Sequence, residues 1–221
     1  MIQNEETHAI LAARHYLYAL FHGLFGVEPS EAFFSSIDHR VAREAFGLVF
    51  ECGSDDELLA ADLVDLLERD GRLLGELRAE YTRLFIGPGA LPVSPWESVH
   101  VTKEEILFNE VTLEVRDFYR RFGFLPEGYP RVADDHIALE LDFLTRLAAA
   151  ALDSYAAEER ECGRILSASV AFLNAHLGVW VGEFASGLRK REGNRLYSLA
   201  ARVLEAFVEQ DVRAIGGILN G

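Results

Sequence analysis

Three observations predict an all-α protein. Apolar residues recur at three- and four-residue steps over long stretches, and no window alternates apolar with polar residues between hairpin dipeptides. Glycine and proline are concentrated in two segments rather than spread between many short elements. Taken in order, the first helical group covers residues 4–85, with the stripe Leu59, Leu63, Leu66 and Leu67. A central helix is expected over residues 103–122, where Phe108, Val111, Val115, Phe118 and Phe122 share one face. The last group, residues 134–217, carries the stripe Ile137, Leu141, Leu144 and Ala148. A further stripe there runs through Leu196, Leu199, Val203 and Phe207. About ten helices in a single domain over residues 1–221 follow, since 221 residues suit one sizeable core.

The first punctuated segment is a Pro/Gly-rich loop near residues 87–98, which three prolines and two glycines between residues 87 and 95 keep out of any regular helix. The second, near Gly123, Pro126, Gly128 and Pro130, separates two helices. The charge of −15 argues against nucleic acid, whose binders cluster Lys and Arg, and suits a basic partner. Cys52 and Cys162 stand far apart, so cysteines can build neither a zinc knuckle nor a CxxC redox site, and two buried or half-buried free thiols are expected. Residues 1–20 mix Glu5, Glu6, His8, Arg14 and His15 with apolar residues, unlike a signal peptide, and no run reaches the length of a membrane span. A cytoplasmic protein without stable membrane insertion is the expectation.

Chemistry can sit in three places. The stretch from Glu80 through Leu84 and Phe85 enters the loop, which carries Pro95 and Trp96. A tryptophan there offers a broad apolar face and one N–H to a bound peptide, or else plugs the core. Asp134-Asp135-His136 precedes an apolar-periodic run, where either aspartate can cap a helix. With Glu140 four residues beyond His136, the same cluster can hold an arginine or lysine of a ligand. Phe172, His176 and Trp180 lie four apart, and a histidine between aromatics is most simply a hydrogen-bonded core residue.

Together these segments resemble the TorD/DmsD family of redox-enzyme maturation chaperones. Tyr81 to Val99 resembles the family's Tyr-x-Arg-Leu-Phe-x-Gly-Pro segment followed by Pro-Trp-x-Ser-Val. Asp135-His136 resembles its Pro-Asp-His signature, with Asp134 standing where the family usually has proline. His176-Leu177 with Trp180 resembles a third motif, and residues 196–200 its closing helix. The resemblance implies a chaperone, not an enzyme; two isolated cysteines and histidines without a closed ligand set point to no metal or cofactor, and monomer and homodimer both stay open. Such a chaperone would hold the leader peptide, often a twin-arginine export signal, and the folding intermediate of a molybdoenzyme catalytic subunit. It points to Leu84, Phe85, Pro95, Trp96, Asp135 and His136 as the peptide-binding residues. Apolar burial should set the affinity, which a floppy leader's ordering cost holds near micromolar, about −8 kcal/mol.

Two enzyme readings fare worse. Glu5-x-x-His8 and Glu97-x-x-His100 have di-iron spacing, yet no facing glutamates complete a site. Adjacent Asp135 and His136 cannot orient each other as a triad does, and no Gly-x-Ser-x-Gly or phosphate-binding Gly-x-x-x-x-Gly-Lys is present. A helical adaptor for some other protein differs from the chaperone only in what its groove holds.

Overall fold

A computed structural model of the chain describes residues 5–70, 73–104, 106–126, 132–157, 159–191, 193 and 195–220. Among them are eleven α-helices and no strand. The helices are α1 (Glu5–Gly26), α2 (Glu31–Ser36), α3 (His39–Val49), α4 (Asp55–Asp70), α5 (Leu74–Tyr81), α6 (Glu97–Thr102), α7 (Glu110–Arg121), α8 (Ile137–Tyr155), α9 (Glu159–Ala175), α10 (Leu177–Arg189) and α11 (Arg195–Asn220). Gly128 and Pro130 of the second punctuated segment lie outside the described residues.

Helix ends follow local chemistry. Ser30 and Asp38 accept backbone N–H groups in the first turns of α2 and α3. The helix expected over residues 103–122 is shorter, and its N-terminal third is not helical. Lys103 ends α6 in the left-handed region at φ 61°, Phe108 sits at φ 60°, and the Asn109 side chain caps α7 by accepting from Thr112 N–H. Periodicity alone could not see this break, because Phe108 falls in register yet stands 52% exposed.

α1 and α8 pack most extensively, α10 lies on α11 and α9 on α8. Phe21, Phe25, Phe143, Leu144, Phe172, Phe184 and Phe207 are among the fully enclosed side chains of this core. One buried polar knot crosses it: Arg14 of α1 engages Asp211 of α11, with Nη2 to Oδ2 at 3.1 Å, and Tyr18 donates to the same oxygen at 2.6 Å. Such a pair is tolerated in the core because hydrogen bonds satisfy the carboxylate on both oxygens. Cys162 is buried, as expected, but Cys52 is exposed in the turn after α3, where Gly53 at φ 78° reverses the chain. No single described helix is long and apolar enough to cross a membrane.

Candidate functional site

α5 runs into one turn of π-helix, Thr82–Ile86, closed by Gly87 at φ 96°, a value open to glycine. The turn sets Leu84 and Phe85 inward and leaves Ile86 61% exposed. Phe85 packs within 5.2–6.4 Å, centroid to centroid, of Phe25, Tyr81, Phe184 and Tyr197. Leu84 and Phe85 thus lie inside the protein.

The chain then carries Pro95 and Trp96 against the segment that leads into α8. Trp96 and His136 form an isolated antiparallel bridge, with Glu97 N–H donating to Asp135 C=O and Ile137 N–H to Pro95 C=O, both at 2.9 Å. Proline can serve here because it only has to accept. The pair is of the type without mutual hydrogen bonds, which brings side chains close. The two rings accordingly meet edge to face at 5.2 Å.

Neither aspartate caps α8. His136 does so, its Nδ1 accepting from Ala138 N–H at 3.1 Å. That role needs an unprotonated Nδ1, and enclosure by protein lowers the His136 pKa to about 4, against the opposing pull of Asp135. Asp135 instead caps α6 from outside. Its Oδ2 accepts from Ser98 N–H and its Oδ1 from the Thr112 hydroxyl, each at 2.9 Å, while Trp96, the helix's own cap residue, supplies no side-chain acceptor. One fully buried carboxylate therefore ties α6, α7 and the entry to α8. Asp134, where proline was the expected residue, is held by Arg116 at 2.6 Å and by Tyr119, which donates to its carbonyl at 2.9 Å.

Beneath α6 lies an acidic cluster that the sequence reading missed. Glu97, 2% exposed, has both carboxylate oxygens 3.1 Å from Nδ1 of buried His176, the core histidine expected between aromatics. Fully buried Glu140 accepts from Trp180 Nε1 at 3.3 Å, and its other oxygen has no hydrogen-bond partner among the described residues. Burial raises the Glu97 pKa, with His176 opposing; burial, then Glu97 and Asp135, hold Glu140 well above the carboxylate range. Because the folded state binds this proton more tightly, Glu140 contributes stability below its ordinary pKa, and that contribution is lost as pH rises through the raised value. Glu140→Gln keeps the acceptor for Trp180 and removes the charge. It should stabilise the protein by about 1–2 kcal/mol at pH 8 and by little at pH 4, read by denaturant unfolding at both. The sequence flags its members separately, Glu97 as a candidate metal ligand, Glu140 as part of a ligand-binding cluster and His176 as a core histidine, but not their meeting. Among the described residues no three His, Cys, Asp or Glu side chains gather as a metal would require.

Beside Trp96 opens a groove of about 600 Å³ between the loop and α10. Leu91, Pro92, Val93, Trp96, Val99 and Leu107 give it apolar walls, and Lys103, Glu183 and Lys190 add charge. The loop lies close on α10 because residue 187 is glycine: a Cβ there would meet the Val93 methyls at 2.9–3.0 Å. Arg191 donates to Pro92 C=O at 2.8 Å, and His100 bonds Ser94 C=O through Nε2 at 2.7 Å while stacking on Trp180. Trp96 is half-buried, and its indole N–H is enclosed without a partner among the described residues. The structure thus unites Pro95, Trp96, Asp135 and His136 at one bridge. Leu84 and Phe85 stand apart from it; Phe184 packs against Phe85 and also against His100, which lines the groove, and Trp180.

The family described as nitrate reductase delta subunit matches residues 53–186, more than half of the chain. The chaperone protein TorD of Vibrio cholerae is 27% identical over 173 residues, which cover 76% of this chain and 77% of the relative. The Tat proofreading chaperone DmsD of Salmonella paratyphi A is 29% identical over 130 residues, 59% of this chain and 57% of the relative. Among solved structures, one described as a redox enzyme maturation protein from Archaeoglobus fulgidus shares the fold. Its TM-score is 0.50 at 22% identity, over 89% of this chain and 93% of that one. The helical architecture, the matched segment and these relatives agree: the chain belongs to the nitrate reductase delta subunit family and is a redox-enzyme maturation chaperone of the TorD/DmsD kind.

Proposed function

We propose that this chaperone acts in the cytoplasm by binding the N-terminal leader of a molybdenum-containing oxidoreductase subunit, holding it while the cofactor is inserted and before export. The leader, a twin-arginine type segment with an apolar stretch, lies in the groove beside Trp96. Trp96 carries this reading: it is a large, half-buried apolar face that lines the groove and is fixed there by the bridge to His136. Pro95, Asp135 and His136 act by holding Trp96 and α6 in place, and Leu84 and Phe85 by holding the turn that launches the loop. Glu183, 54% exposed and engaged by Lys103, is the groove's carboxylate for a leader arginine.

Trp96→Ala should weaken leader binding by about 2 kcal/mol or more, as central aromatic anchors do, with helical content unchanged. Titration with a leader peptide should also shift tryptophan fluorescence in the wild type and not in the variant, because Trp180 is buried and already bonded to Glu140. Unchanged affinity in a folded Trp96→Ala protein would remove the leader from this groove and favour an adaptor with another partner.

A further inference from the structure

A second cleft, of about 360 Å³, shares no lining residue with the Trp96 groove and has the opposite chemistry. It is formed by the end of α7, the Gly123 corner, α8 and α9. In a chain with 36 acidic and 21 basic residues, its lining holds three arginines and one glutamate. Each arginine lies over an aromatic ring: Arg121 over Phe118 at 5.2 Å, Arg146 over Phe124 at 5.0 Å and Arg164 over Phe122 at 4.9 Å. A guanidinium placed on a ring keeps its in-plane N–H edge for a carboxylate. Arg164 already shows that mode, donating to both oxygens of Glu161 at 2.8 and 2.6 Å while it covers Phe122. Arg146 meets Asp142 through one contact of 3.2 Å, and Arg121 has no carboxylate partner among the described residues. Half-buried Phe122 gives the cleft an apolar floor, backed by the nearly enclosed Phe143, Leu147 and Ile165.

We propose that this cleft binds an acidic peptide segment in which an Asp or Glu adjoins a large apolar residue. The carboxylate takes the edges of Arg121 and Arg146, and the apolar neighbour covers the floor. Two features favour this occupant over a polyphosphate: the Glu161 carboxylate repels a highly charged anion most, and much of the lining is aromatic or aliphatic. The site is independent of the leader groove, so the chaperone can grip a basic leader and an acidic stretch at once.

The test titrates the isotope-labelled full-length chain with the acetylated, amidated peptide Glu-Phe-Asp-Leu and with its Gln-Phe-Asn-Leu counterpart, following backbone amide shifts. The acidic peptide should shift Phe122, Gly123 and Leu147 saturably, bind at least tenfold more tightly than the counterpart, and weaken as salt rises. Arg121→Gln with Arg146→Gln, both exposed and so compatible with folding, should reduce binding at least tenfold and leave Trp96 resonances unmoved. Glu161→Gln frees Arg164 and should tighten binding at least threefold. Equal binding of the two peptides, absence of saturable shifts in the cleft, or tighter occupation of it by a nucleoside triphosphate would each overturn the proposal.

Discussion

Phe85→Ala is expected to destabilise the protein by about 3–5 kcal/mol, the range for emptying a phenylalanine site in a packed core. Its ring meets four other aromatic rings, so no single neighbour can move to fill the space. Loss of leader binding in this variant should follow loss of fold: affinity measured well below the unfolding midpoint should fall far less than stability does. Denaturant unfolding gives the first quantity and peptide titration at low temperature the second. A stable Phe85→Ala protein that no longer binds would instead make Phe85 a contact residue.

The second large effect concerns Asp135. Removing its carboxylate strips the buried Ser98 N–H and the Thr112 hydroxyl of their acceptor, so Asp135→Ala should cost about 2–4 kcal/mol. Asp135→Asn should stay within about 1 kcal/mol of wild type, because the amide oxygen still serves Ser98 while the Thr112 hydroxyl can turn to accept from the amide nitrogen. It also relieves the charge crowding on Glu97 and Glu140. If Asp135 positions α6 rather than touching the leader, Asp135→Asn should bind a leader and its Arg→Gln variant with the wild-type difference between them. A coupling above about 0.5 kcal/mol between Asp135→Asn and the leader's arginines would show direct recognition.

How far the sequence could go is visible at these residues. Helical class was legible because stripes such as Ile137, Leu141, Leu144 and Ala148 report one buried face, and all four are buried in α8. The break before α7 was not, since Lys103 and Phe108 adopt left-handed backbone that nothing in a lysine or phenylalanine announces. At the candidate site, the motifs named segments but not how deeply their side chains lie. Asp135 read as a cap and is one, but for the neighbouring helix, because capping depends on where an aspartate's oxygen lands and not on its place in the chain. Glu97 and His176 are 79 positions apart, a pairing that only the fold creates. Leu84 and Phe85 are as apolar in a groove as in a core, so their type alone could not separate the two.

The most direct test of the central claim is paramagnetic broadening of the two indole N–H resonances by a leader peptide spin-labelled at the end of its apolar stretch. The account predicts that the Trp96 signal shifts as the peptide covers its ring. It should broaden together with the amides of Val93 and Gly187, while the Trp180 signal, bonded to Glu140 in the core, is affected far less. Saturable binding that leaves the Trp96 signal sharp and unmoved, with broadening centred on another face of the protein, would contradict it.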